Sequence, residues 1–140
     1  MFANSHFALA THVLTVLAVN EDRVLTSAQL AGSVNTNPAF LRTLLGRLRA
    51  AGLIAVSLGK GGGARLARPA SRLTLADVYR AVERQPAAQL HRCTPDKRCL
   101  VGRNILPILD DVVRDVEAAA LQRLTRKTIA DLAAQAVRRG

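Results

Sequence analysis

Apolar residues recur at helical spacing from the beginning of the chain. Phe7, Leu9, Ala10, Val13, Leu14, Leu17 and Ala18 follow the i, i+3, i+4, i+7 rule, which predicts an amphipathic helix over residues 5–20. Glu21-Asp22 closes it with a turn. Thr26 with Gln29 three residues on has the form of a capping box, opening a short helix to about Ser33. Asn37-Pro38 marks a third start, because Pro suits the first helical position. Phe40, Leu41, Leu44, Leu45 and Leu48 carry that helix to Ala51, and Gly52 ends it.

The period then changes. Residues 53–58 (LIAVSL) are apolar and partly β-branched, and residues 64–67 form a second short run. GKGGG between them suits a hairpin connection, since glycine tolerates the positive φ such a loop needs. Two short helices joined by a tight turn and followed at once by a two-stranded wing predict a winged helix-turn-helix. A nucleotide-phosphate loop is excluded: there is no Gly-x-x-x-x-Gly-Lys-Ser/Thr pattern, and no helix follows the glycines directly.

Thr74 and Asp77 make a second capping box, opening a helix through Leu75, Val78, Ala81 and Val82 to about Arg84. Residues 85–98 hold Pro86 and Pro95 with no apolar period, and read as a loop. A long helix follows over 100–124, striped by Ile105, Ile108, Leu109, Val112, Val113, Val116, Ala120 and Leu124. Pro107 is expected to kink it or to move its start toward Asn104. Thr128 and Asp131 cap a last helix through Leu132 and Val137. The long stripe is wider than a small domain requires, which points to a dimerisation helix rather than an internal core helix. The expected fold is therefore mainly α with a small β-hairpin. Residues 1–85 form a winged-helix DNA-binding part, 86–99 a sensor-like loop and 100–140 dimerisation helices, within one continuous structural domain.

Composition narrows the partners. The chain has 140 residues, which fits one domain. With no Trp, one Tyr and three Phe its core must be aliphatic, and single-stranded nucleic acid bound by base stacking is disfavoured. The formal net charge of +10 calls for a polyanion, and nucleic acid is the common one. Distribution sharpens this. No acidic residue lies between Asp22 and Asp77, while Arg23, Arg42, Arg47, Arg49, Lys60, Arg65, Arg68 and Arg72 fall inside that gap. Such a surface faces phosphate, and its one-sided charge argues against the alternative of a winged-helix module that binds a protein. No basic residue precedes Arg23 to open a signal peptide, and the 7–19 apolar run is too short to cross a bilayer. A cytoplasmic protein with no membrane partner and reduced thiols is expected.

The segments NTNPAFLRTLLGRLRAAGL and GKGGGARLARPASRLTLADVYRAVE, with CLVGRNI and TIADL after them, resemble the Rrf family of bacterial winged-helix transcription regulators. The resemblance spans nearly the whole chain. It implies a homodimer on a palindromic promoter element of double-stranded DNA, with the long C-terminal helix crossing to the partner subunit; the expected function is that of a repressor responding to a redox or other small signal. Cluster-binding members hold an iron–sulfur cluster with three cysteines before that helix. This sequence departs from them, having only Cys93 and Cys99. It is closer to the branch with a Cys-Pro-Val-Gly-like signature, here Cys99-Leu100-Val101-Gly102, for which no general cofactor is implied.

In a helix-turn-helix the start of the second helix reaches base edges and flanking cations hold phosphates. Thr36, Asn37, Ala39, Phe40, Arg42 and Thr43 occupy that start. Asn37 could pair with adenine and Arg42 with guanine, although Asn37 before Pro38 also has the form of an N-cap and Phe40 that of a core residue. Arg47 is expected on phosphate or a solvated face, and Lys60, Gly61, Gly62 and Arg65 along the DNA backbone or in the minor groove. Cys93 and Cys99 have five residues between them, a poor match to zinc spacing. Arg92, Lys97 and Arg98 nearby, and a helix N-terminus at Cys99, favour thiolate and reversible oxidation. Ligation of a metal or iron–sulfur cluster by both cysteines with His91 or a ligand from the partner subunit is the alternative, and incidental loop cysteines are another. His6, His12 and His91 are scattered with no nucleophile–base pair, so an enzyme is not expected.

Overall fold

In the computed structural model, which describes all 140 residues, the predicted helix starts are built by the side chains that announced them. The chain runs α1 (His6–Val19), α2 (Ser27–Val34), α3 (Pro38–Ala50), β1 (Ile54–Ser57), β2 (Gly63–Leu66), a 3₁₀ turn (Ala70–Arg72), α4 (Leu75–Val82), α5 (Leu100–Leu124) and α6 (Ile129–Arg139). Thr26 with Gln29, Thr74 with Asp77 and Thr128 with Asp131 each form a reciprocal capping box. These satisfy amide groups that a helix start would otherwise leave without partners. At the far end of α3 the Gly52 amide donates to the Arg49 carbonyl and the Leu53 amide to that of Leu48, the paired bonds of a Schellman stop.

The core is aliphatic, as an almost aromatic-free sequence requires. Leu14, Leu17, Leu30, Leu41, Leu44, Leu48, Leu53, Leu73 and Ile129 are its largest fully buried side chains, and no charged residue is buried. Phe2, Phe7 and Tyr79 form one small aromatic cluster at its edge. Burial, with the Glu117 and Glu83 carboxylates nearby, pushes the Tyr79 hydroxyl above its ordinary value. β1 and β2 pair antiparallel, Ile54 opposite Leu66 and Ser57 opposite Gly63.

Four features depart from the sequence expectation in ways that matter for the fold. β2 starts at Gly63, one residue early, because Gly63 closes the ladder against Ser57. α4 stops at Val82 rather than Arg84: Glu83 is extended, and its Oε1 accepts from the amides of Arg84 and Gln85. α5 begins at Leu100 and runs unbroken through Pro107, so the start is not displaced toward Asn104. Proline there removes only the amide that would bond the Arg103 carbonyl, on a helix with no buried residue, where water can replace it. The last difference is topological. α6 does not extend the long helix; it folds back on α1 and the 3₁₀ turn, and sets Ile129 in the core. The return is fastened by Leu75 donating to the Lys127 carbonyl (2.9 Å) and Ile129 to that of Leu73 (2.8 Å). No helix is long and apolar enough to cross a membrane.

Candidate nucleic-acid interface

α3 presents two unlike faces. Leu41, Leu44, Leu45 and Leu48 are buried, while Ala39, Arg42, Thr43, Gly46, Arg49 and Ala50 are exposed. The exposed face is thus two arginines and a threonine set among three very small residues. The helix can lie close to another surface there while its two cations reach sideways. Sequence reasoning singled out Arg42 and Thr43 and passed over Gly46, whose absent side chain leaves open space with nothing within 4 Å.

The wing stands beside this helix. The start of α2 (Thr26, Ser27), Leu45 of α3 and the hairpin residues Val56–Gly59 and Gly62–Ala64 line one shallow groove, so the three elements adjoin. The hairpin is also tied to the turn after α1. Leu25 donates to the Ala64 carbonyl at 3.0 Å and accepts from the Ala64 amide at 2.7 Å. Gly63 permits that approach, since a Cβ there would lie 2.5 Å from the Leu25 carbonyl oxygen. Gly61 has φ +77°, a conformation side chains rarely adopt. Lys60 and Arg65 are exposed, and so is Leu58 at the tip (87 %), an apolar side chain that sequence reasoning did not mark.

Electrostatics favour an anion across this surface. The chain's two ion pairs are Arg98–Asp96 and Arg114–Asp110, both far along the sequence. None of the eight cations between residues 23 and 72 is therefore neutralised by a carboxylate.

The individual candidates divide into free and occupied groups. Ala39, Arg42, Thr43, Lys60 and Arg65 are exposed, Thr43 bonding only its own helix through the Ala39 carbonyl (3.3 Å). Thr36 and Gly62 are half-buried. Asn37 is an N-cap in fact: its Oδ1 accepts from the amides of Ala39 (2.8 Å) and Phe40 (3.4 Å), leaving the amide nitrogen free. Phe40 is half-buried against the core, its ring 5.2 Å from that of His6. Arg47 turns inward, with Nη1 3.3 Å from His6 Nδ1 and 3.2 Å from the Val82 carbonyl oxygen.

The cysteine loop lies at the start of α5. Cys93 and Cys99 are free and exposed, and so is His91. The turn between them is braced by Asp96, which accepts from the Arg98 backbone amide and from its guanidinium, so its carboxyl sits below the usual carboxylate range. Cys99 is the N-cap residue of α5. The first turn of the helix packs on the loop through Gly102, where a Cβ would meet the Asp96 carbonyl oxygen at 2.3 Å.

With a helix-turn-helix, a glycine wing and a long helix after a cysteine loop in place, comparison with known proteins is direct. The sequence pattern of Rrf2, a family described as iron-dependent transcriptional regulators, matches residues 3–135. This chain belongs to the Rrf2 family. It is 32% identical over 129 residues to YwnA of Bacillus subtilis, a protein named as an HTH-type transcriptional regulator, covering 92% of this chain and 95% of that one. A Lactobacillus plantarum structure described as a transcriptional regulator superposes with a TM-score of 0.80 at 24% identity, over 93% of this chain and 88% of that one. CymR of Bacillus subtilis, described as a global cysteine regulator, shares the fold with a TM-score of 0.66 at 20% identity, over 96% of this chain and 98% of that one. The Rrf2 protein described here is accordingly a DNA-binding transcription regulator and not an enzyme. The family description carries iron, and the donor set of this chain does not fit it. His91, Cys93 and Cys99 are not gathered into one cluster, and no three His, Cys, Asp or Glu side chains are.

Proposed function

We propose that this Rrf2 protein works as a homodimeric repressor that reads a palindromic operator in duplex DNA, with the exposed face of α3 in the major groove and the wing along the backbone. The observation that carries the reading is uncompensated charge: eight cations between residues 23 and 72, five of them on α3 and the wing, with no carboxylate to pair with. Arg42 is the base reader of choice, because a guanidinium presents two parallel donors to guanine. Lys60 and Arg65 are phosphate contacts. Asn37 contributes its cap and a free amide nitrogen. Thr36, Ala39, Phe40, Thr43, Gly61 and Gly62 supply the contact surface and the shape of helix and wing.

The dimer is supported by α5. Ile108, Val112 and Val116 stand one turn apart, 55, 53 and 59 % exposed, and Leu100 and Val101 are more so. An apolar stripe of that length on a helix with no buried residue is suited to a second copy of itself. Cys93 and Cys99 are the proposed signal site, two accessible thiols in a cationic loop whose state is passed to α5 through the contact of Gly102 with Asp96.

The test is binding of the purified protein to a pool of random duplexes, then titration of the recovered site against salt. Recovery of a two-fold symmetric site is expected, with log K falling steeply with log salt. Lys60→Ala and Arg65→Ala should each reduce that slope by about one and weaken all sequences alike, whereas Arg42→Ala should also relax base preference. No binding to duplex DNA even at low salt would overturn the reading in favour of a protein partner.

A further inference from the structure

Arg47 is the one candidate contact whose guanidinium is spent inside the protein. It lies on α3 two turns after Phe40, and both meet the same side chain, His6 at the start of α1. The His6 ring packs at 5.2 Å and 34° to that of Phe40, and its Nδ1 stands 3.3 Å from Arg47 Nη1. A guanidinium only donates, so Nδ1 accepts, which places the ring proton on Nε2. The second hydrogen of the same Nη1 reaches the Val82 carbonyl at 3.2 Å. Val82 is the last residue of α4, and its successor Glu83 is where the chain leaves the helix for the cysteine loop. One nitrogen thus joins three elements: the recognition helix, the start of α1 and the exit of α4. The wider face of α3 has no other polar bond to the body. Thr43 bonds within its own helix, and Asn37 caps it.

We propose that Arg47 and His6 are positioning residues for DNA recognition, a strut that fixes the recognition helix against α4 at the point where the cysteine loop begins. Arg47 then raises affinity without touching phosphate. His6 gives α3 its second fixed point, by stacking on Phe40 near one end of the helix and bonding Arg47 near the other. Because the strut ends on the Val82 carbonyl, it adds a directional polar link to the apolar packing of α3 on α4, at the point where Glu83 leads into the loop. This rests on the DNA-binding reading above.

The two roles of Arg47 give opposite signatures. A phosphate contact contributes about one to the slope of log K against log salt, and a strut contributes none. Arg47→Ala should lower affinity for the selected duplex by about tenfold, a change of about 1.4 kcal/mol. Its salt slope should equal that of the unaltered protein, while Lys60→Ala loses about one. His6→Leu, which keeps volume but not the acceptor, should match Arg47→Ala, and the pair together should cost no more than either alone. His6→Asn, which puts an oxygen where Nδ1 sits, should restore most of the loss. Amide hydrogen exchange without DNA is the second readout, faster along α3 in Arg47→Ala and His6→Leu and unchanged in Lys60→Ala. A slope reduced by one with exchange unchanged would make Arg47 a phosphate contact and overturn the proposal, as would unchanged affinity and exchange. If the unaltered protein binds no duplex, the DNA reading fails on its own, and exchange still decides the strut.

Discussion

At the scale of single residues, the informative positions are those where local stability and the exposed surface disagree. Gly46 lies mid-helix in α3, where glycine costs about 1 kcal/mol relative to alanine. Nothing within 4 Å would meet a side chain there, so packing inside the protein does not demand it. Its neighbours on that face are Ala39, Arg42 and Thr43. Gly46→Ala is therefore expected to raise the unfolding midpoint, by about 1 kcal/mol of stability at most, and Gly46→Gln to keep the fold while lowering operator affinity at least tenfold. Thermal unfolding and fluorescence anisotropy read the two effects separately. Retained affinity in Gly46→Gln would show that the face does not approach DNA closely. Asn37 teaches the converse. Its pairing with Pro38 was legible as a cap, and the cap is what its Oδ1 does.

Among the elements, α6 is the one whose role depends on two short backbone bonds and one capping box. Thr128 donates its backbone amide to the Asp131 carboxylate, which with Lys127 nearby holds that carboxyl below the usual range. A depressed acid stabilises the folded state above its ordinary value, about 3.9, and the stabilisation is lost as pH falls through the lower folded value. Protection of the α6 amides from hydrogen exchange, taken relative to the intrinsic rate at each pH, should accordingly fall on acidification below about pH 4, ahead of the core, and Asp131→Ala should show the lower protection already at neutral pH. An acid-independent α6 would mean that Ile129 in the core, rather than the cap, holds the helix.

For the whole molecule, the charge and the bare stripe of α5 make linked demands. Four of the ten acidic residues lie on α5 (Asp110, Asp111, Asp115 and Glu117), while the first 76 residues hold only Glu21 and Asp22. On the proposed reading the cationic body meets DNA and the acidic, apolar-striped helix meets a second copy of the chain. Val112→Glu changes a half-exposed side chain and should leave the helical content of the subunit intact. It should halve the mass measured by sedimentation or light scattering, and abolish binding to a two-half-site operator while leaving weak single-site binding. A monomeric mass for the unaltered protein at micromolar concentration would remove the dimer.

How much could be read in advance follows from the range of each interaction. Three capping boxes, the α3 stripe, the glycine wing and the long helix are local patterns of two to seven residues, and chemistry that close in sequence fixes its own geometry. The acid-free span of cations was visible for the same reason, since charge needs no fold to be counted. What the sequence could not decide depends on which distant surfaces meet. α6 looked like more of the dimerisation arm, yet it returns to α1 because Ile129 and the Leu73–Leu75 backbone offer it a core and partners more than fifty residues away in sequence. Arg47 reads as one more cation of the DNA face. Only the fold brings His6, 41 residues earlier, and Val82, 35 residues later, to the same nitrogen and turns that cation inward.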